Sequence, residues 1–328
     1  LRFAVSGDSR NCGDIVMPAI AAGARKDGAE FYWHLGDLRA MYDFDIDITK
    51  RAERGGKPLS ITEYQNMAWP DFIQNQIGAF GNMPFFLGIG NHELVPPKTR
   101  QDFLIQFTDW LNSPILREQR LRDDPHDRKL RTYFHWIQDG VDFLYLDNAS
   151  PDQFDAAQMK WIEATLKRAA VDPSVRTVVV GMHAVLPESL AAGHSMNDWA
   201  VGVETGRRVY VDLLNFQKDT GKKVYVLASH SHFLLANVFN SQYWREHGGV
   251  LPGWIVGTAG AFRYKLPPDA AQAAEAKTNV YGYLLGTANP DGTLKFEFHE
   301  ITEQDVPAAV VTRFGTALVH QCFVDNHE

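Results

Sequence analysis

Five apolar or β-branched runs in this chain break off at a glycine or serine and pass at once to an aspartate, asparagine or histidine. They end at Gly7-Asp8, Gly36-Asp37, Gly90-Asn91-His92-Glu93, Gly181-Met182-His183 and Ser229-His230-Ser231-His232. Pro84-Phe85-Phe86-Leu87, ahead of the third, reads as a buried strand. A strand that ends in a carboxylate or imidazole and then a loop is how an α/β fold gathers distant residues onto one sheet edge. Taken singly, each signal is weak. Gly-Asp after a strand is most often a turn, and a lone histidine is more often solvated or core than a ligand. His34, His126, His135, His247, His299, His320 and His327 are read in that plainer way.

The elements follow in order. Arg2–Ser6 and Phe31–Leu35 are predicted strands, separated by a helix over about Ile15–Lys26. Ile61–Ile77 reads as a helix that Pro70 should kink or split. Gln101–Leu111 reads as helix, Arg117–Arg131 as exposed loop, and Thr132–Ile137 with Val141–Asp147 as a hairpin around Gln138-Asp139-Gly140. Gln153–Ala170 is an amphipathic helix, Val175–Gly181 a strand, Gly206–Asp219 a helix and Val224–Ala228 a strand. Thereafter the chain turns to β, at Phe233–Phe239, Trp254–Gly257, Val280–Thr287 and Leu294–His299, interrupted by an alanine-rich piece at Asp269–Lys277. Val306–Val324 is apolar enough to pack but has no assignable period. Helix-alternating strands early and antiparallel strands late imply two sheets packed face to face and covered by helices. All 328 residues are read as one domain, with inserted loops near Leu38–Ser60 and Leu186–Thr205.

The formal charge of -8 argues against a nucleic-acid binder, which usually shows a basic face. It leaves anionic substrates open, because metal ions can set the local field. No apolar run approaches the length of a membrane span. The first strand follows Leu1 almost at once, which suggests a removed leader and a periplasmic or secreted protein, with a cytoplasmic one as the alternative. Cys12 and Cys322 can form one disulfide or remain two free thiols. Oligomeric state is not legible.

Asp8, Asp37, Asn91, His183, His230 and His232 make a mixed nitrogen and oxygen donor set without thiolate. Such a set suits Mn, Fe, Zn or Co better than Ca. Carboxylates such as Asp8 and Asp37 can bridge two cations. Beside them stand Arg10 and Arg39, whose forks can hold phosphate oxygens in pairs or merely pair with acids such as Asp14. Tyr42, Phe44 and Trp199, on the two inserted loops, can stack on a base or sugar or form the loops' own small cores.

With these residues in this order, the sequence resembles the calcineurin-like metallophosphoesterases, including the purple acid phosphatases. The resemblance covers about Phe3 to His232, with the later Gly257-Thr258-Ala259-Gly260-Ala261 turn as a further candidate. It implies a four-layer α/β/β/α sandwich of two mixed sheets and hydrolysis of small phosphate esters, most simply monoesters. Phosphodiester hydrolysis on nucleotides or lipid head groups, or phosphate binding without catalysis, are the alternatives. It implies one or two transition-metal ions, Mn, Fe or Zn. Asp37 would bridge them, Asp8 and His232 would complete the first site, and Asn91, His183 and His230 the second. Water or hydroxide held there would attack phosphorus, His92 would serve the leaving oxygen or the phosphate, and Glu93 would orient His92 or cap a turn. Three positions depart from the pattern. Arg10 stands where many relatives carry a histidine ligand, Ala40 where purple acid phosphatases carry a tyrosine ligand, and Ser229 where the last motif has glycine. The first site is therefore expected to be the weaker one, with Arg10 as a candidate phosphate clamp.

Overall fold

The computed structural model describes residues 1–48, 58–149, 153–191 and 193–328. Twelve strands are β1 Arg2–Ser6, β2 Phe31–His34, β3 Phe85–Leu87, β4 Phe134–Gln138, β5 Val141–Leu146, β6 Thr177–Met182, β7 Lys223–Ala228, β8 Leu234–Ala236, β9 Gly253–Val256, β10 Glu275–Lys277, β11 Tyr281–Ala288 and β12 Leu294–Ile301. They form two mixed sheets, in the orders β12-β11-β1-β2-β3 and β10-β8-β9-β7-β6-β5-β4. Within the first, β1, β2 and β3 run parallel; within the second, β5, β6, β7 and β9 do. The longer helices are α1 Gly13–Lys26, α2 Ile61–Asn75, α3 Pro114–Asp123, α4 Ala156–Val171, α5 Ala200–Thr220, α6 Ala308–Phe314 and α7 Thr316–Val324.

Alternate residues explain the layers, because successive side chains of a strand point to opposite faces. Phe3, Phe31, Trp33, Phe86, Trp136 and Phe143 meet between the sheets, with Phe86 and Trp136 stacked at 3.9 Å and Phe3 edge-on to Phe143 at 5.0 Å. On the outer face of the first sheet, Tyr32 bonds Met17 of α1 through its hydroxyl. On the outer face of the second, Leu144, Leu146, Val178, Val180, Val224 and Val226 form one core with Ile162 and Leu166 of α4 and with Val209 and Leu213 of α5. The expected four-layer α/β/β/α sandwich is the observed one. The disulfide is also formed: Cys12 and Cys322 are bonded, their Cα atoms 5.9 Å apart, tying α7 to the start of α1.

Several boundaries differ. Arg117–Arg131 is not all loop, since α3 covers its first part; that helix buries only Leu116 and Gln119 and so lacks an apolar stripe. Pro70 does not split α2. The expected helix over Gln101–Leu111 is two short ones, Arg100–Gln106 and Thr108–Leu111. The loop at Leu186–Thr205 ends early because α5 begins at Ala200. Of the Leu38–Ser60 insertion, residues 49–57, with the Gly55-Gly56 pair, lie outside the described residues. Val306–Val324 resolves into α6 and α7, parted by Gly315 at φ 84°. No helix among the described residues is long and apolar enough to cross a membrane.

Candidate metal centre

The parallel strands of both sheets end on the same edge, and their trailing residues turn toward one point. Asp8, Asp37 and His230 do so with φ of 61°, 58° and 68°. Left-handed backbone is uncommon for residues other than glycine, although Asp, Asn and His are enriched there, and such strain gathers at functional sites. Gly90 passes so close that a Cβ would lie 2.2 Å from Asp37 Oδ1, so a side chain there would displace the carboxylate. The Gly257–Ala261 turn docks on the same edge, with Ala259 and Ala261 donating to the carbonyls of Gly7 and Asp8 at 3.0 and 2.9 Å.

Four predicted ligands converge. His183 Nε2 lies 2.9 Å from Asn91 Oδ1, 3.2 Å from Asp37 Oδ1 and 3.0 Å from His230 Nδ1. His183 Nδ1 is 3.0 Å from the Leu35 carbonyl and 3.1 Å from Ser229 Oγ, which fixes the N–H on that side and turns the Nε2 lone pair into the cluster. Ser229 thus does more than replace glycine: its hydroxyl also donates to Leu35 at 3.0 Å and braces the ring. Burial opposes charge on His183, yet Asp37 and Asp8 prevail and hold its proton up to about 9. A proton thus takes a cation's place, and a metal would have to displace it. His230 goes the other way, down to about 3, through burial and the charge of His183. Burial alone would raise Asp37, but His183, His92 and Arg10 outweigh it and keep its carboxyl well below the usual range. Asp37 Oδ2 and Asp8 Oδ1 are buried with no hydrogen-bond partner among the described residues. Carboxylate, amide oxygen and two imidazole nitrogens at such spacings fit a transition-metal ion.

The first site is different. His232 gives Nδ1 to the Phe262 carbonyl at 2.5 Å and lies 3.3 Å from Asp8 Oδ1 through Nε2. That same Nε2 is 3.1 Å from Arg10 Nη2. Arg10 Nη1 is 2.8 Å from His92 Nε2, and the guanidinium also reaches the hydroxyls of Tyr42 and Tyr264, each at 3.2 Å. Arg10 is therefore not a surface partner of Asp14. Its aliphatic stem and fork are 6% exposed and turn into the site. Arg39 does the opposite: its guanidinium bonds Asp14 and Asp71 at 2.5 Å and Asp47 at 3.2 Å, buried in the scaffold. It holds the loop after Asp37 rather than a ligand.

Glu93 lies buried with its carboxylate on backbone N–H groups. It accepts from the backbone N–H groups of Asp37, Leu38 and Gly90 at 2.9, 2.9 and 2.7 Å. His92 is oriented instead by the Ala40 carbonyl, 2.5 Å from Nδ1. Of the loop aromatics, Tyr42 packs its ring 4.9 Å from that of His92, Phe44 packs on Tyr64 at 5.5 Å, and Trp199 is exposed. Two residues at the site carried no motif. Tyr264 stacks on His232 at 4.0 Å, and His194, from the second loop, stacks on Tyr264 at 5.3 Å and stands edge-on to His230 at 5.4 Å. A histidine on a long loop opposite the ligand strands was the only signal for His194.

No family model matches the sequence, and no curated protein does either. Solved structures do match in fold. A purple acid phosphatase from yellow lupin (Lupinus luteus) seeds aligns over 91% of this chain and 51% of its own, at 16% identity and TM-score 0.61. PhoD aligns over 99% and 77%, at 14% identity and TM-score 0.55. A dimetal phosphatase from Danio rerio aligns over 92% and 96%, at 11% identity and TM-score 0.54. The chain spans about half the length of the lupin enzyme. The chain shares the fold of these three structures.

Proposed function

We propose that the protein is a metal-dependent phosphoesterase acting on small phosphomonoesters. The observation that carries this reading is the convergence of Asp37, Asn91, His183 and His230 at about hydrogen-bond spacing, with the His183 ring set by Leu35. Mn, Fe or Zn bound there would lower the pKa of a coordinated water and offset charge on phosphoryl oxygens. The chain's own residues supply the rest. Arg10 sets a fixed positive charge beside the phosphate position, its guanidinium held by Tyr42 and Tyr264 as well as by His92 and His232. His92, with Nδ1 committed to Ala40, has only Nε2 left, which accepts from Arg10 at 2.8 Å and would take up a proton for the ester oxygen by giving up that bond. Glu93 keeps the two loops bearing Asp37 and Asn91 in register. The disulfide supports an oxidising compartment, periplasmic or extracellular.

A second reading is a phosphate-binding relative without turnover. It is favoured by Arg10, which engages the Nε2 atoms of both His92 and His232. Chelator-stripped protein, reloaded separately with Mn, Zn and Fe, separates the two on chromogenic mono- and diesters. Metal-dependent hydrolysis, faster on the monoester, is expected. Phosphate binding with no hydrolysis of either ester would leave the second reading in place.

A further inference from the structure

We infer that Arg10 takes the place of the first metal ion, so that the centre holds one transition-metal ion, at Asp37, Asn91, His183 and His230, beside one resident guanidinium. The inference rests on the proposed metal at that second position, but not on any turnover.

The argument begins with lone pairs. His232 spends Nδ1 on the Phe262 carbonyl at 2.5 Å, so Nε2 is its one atom able to ligate. That atom faces Arg10 Nη2 at 3.1 Å. A neutral imidazole nitrogen has one lone pair, which accepts an N–H or binds a metal, not both. His92 repeats the arrangement: Nδ1 is on the Ala40 carbonyl at 2.5 Å and Nε2 on Arg10 Nη1 at 2.8 Å. The two tyrosine hydroxyls, each at 3.2 Å, hold the fork from the other side. A guanidinium held at four points costs little further entropy to keep in place.

Ligand count points the same way. Position 10 is arginine and position 40 alanine, and neither can ligate. What remains for a first ion is Asp8, a share of Asp37 and the engaged His232. Among the described residues, Asp37, His183 and His230 are the one group of three such side chains whose ligating atoms all lie within 4.8 Å of one another. The buried, unpartnered Asp8 Oδ1 and Asp37 Oδ2 still call for positive charge nearby. Arg10 carries that charge permanently, because a guanidinium is not deprotonated in proteins. A guanidinium offsets charge on phosphoryl oxygens by its own charge and cannot be removed by a chelator. The substrate would therefore meet one exchangeable cation and one fixed one.

The test is metal stoichiometry on the full chain. Stripped protein is titrated with Co2+, and bound cobalt is counted by elemental analysis and followed by its visible absorption. Wild type is expected to bind one equivalent. Arg10→His, which restores Asp-x-His, should bind two, with added absorption. His232→Ala in the otherwise intact chain should keep one equivalent, with affinity within about twofold. Thermal melting confirms that each variant is folded, and the His232→Ala arm stands even where Arg10→His does not fold. Two tight equivalents in wild type, one equivalent in folded Arg10→His, or a tenfold loss of affinity in His232→Ala would each overturn the inference. No metal at all would remove the phosphoesterase reading and this inference with it. One equivalent without hydrolysis would remove only the former.

Discussion

Glu93→Gln tests whether the carboxylate next to His92 acts on chemistry or on scaffold. Its Oε2 accepts from Asp37 N–H at 2.9 Å and Gly90 N–H at 2.7 Å, and its Oε1 from Leu38 N–H at 2.9 Å. Glutamine is nearly isosteric but has one acceptor oxygen. Its best placement puts that oxygen on Asp37 and Gly90 and turns its own NH2 toward the Leu38 N–H. One buried donor then faces another, which costs about 1–3 kcal/mol. For a chain of this size that is a fall of roughly 1.5–4.5 °C in melting temperature. The displaced segment begins at Asp37, a residue of the second site in left-handed backbone at φ 58°. Loss of an outer partner of a metal ligand typically costs about 10–100-fold in metal affinity. The assay is a Co2+ or Mn2+ titration of Glu93→Gln beside wild type, with melting of the metal-free proteins. Unchanged affinity and melting with a large loss of turnover would refute the clamp and return Glu93 to the chemistry of His92.

Three further outcomes are expected. His92→Ala should lose about 10²–10⁴-fold in turnover while keeping its metal, whereas Asp37→Ala should lose both, as elemental analysis beside the esterase assay would show. With ferric iron the protein should lack the phenolate absorption that colours the purple enzymes, since position 40 is alanine and the nearby Tyr42 and Tyr264 hydroxyls are engaged by Arg10; a visible charge-transfer band would contradict this. His135, between Asp123 and Asp142 at 2.6 and 2.7 Å, is disfavoured as a cation by burial, but the two acids prevail and raise it to about 9. Its proton thus stabilises the fold fully below about 6.5, and that contribution, up to roughly 3 kcal/mol, is lost as pH rises through 9; His135→Gln should flatten this limb of a urea-denaturation profile, and an unaltered limb would exclude His135 as its origin.

The fold was legible where short-range pattern and long-range packing agree. β-branched and aromatic runs capped by glycine or serine marked β1, β2, β3, β6 and β7, and the polar residues that follow them are those gathered at the site. Legibility failed where the burial signal is thin or distant. Helix α3 buries two residues, so its sequence reads as loop. Helices α6 and α7 are short and broken by a glycine, which leaves no period to detect. The disulfide joins residues 310 apart, a separation that composition cannot choose over two free thiols. Tyr264 reaches the site only because the segment after β9 folds back over His232, a tertiary fact with no local mark.

The two arginines show most sharply what local sequence leaves open. Arg10 and Arg39 each stand two residues after a ligand aspartate, and both aspartates are in left-handed backbone, so the local geometry gives them equal access to the site. They diverge through their partners. Asp14 is four residues from Arg10 and twenty-five from Arg39, yet its carboxylate bonds Arg39 at 2.5 Å, with Asp71, Asp47 and, at 3.8 Å, Asp45 also around the guanidinium. A buried cation held by several carboxylates is fixed, because turning it away would leave those buried carboxylates uncompensated. Arg39 is thereby withdrawn from the site, and Asp14, four residues from Arg10, is withdrawn with it. Arg10 then satisfies its donors on what the strand ends supply: His92, His232 and two tyrosine hydroxyls. The scaffold cluster and the guanidinium in the site are two sides of one distribution of charge. A substitution such as Asp14→Asn should therefore be felt at both: at Arg39 as lost stability, and at the centre only as far as the loop after Asp37 moves.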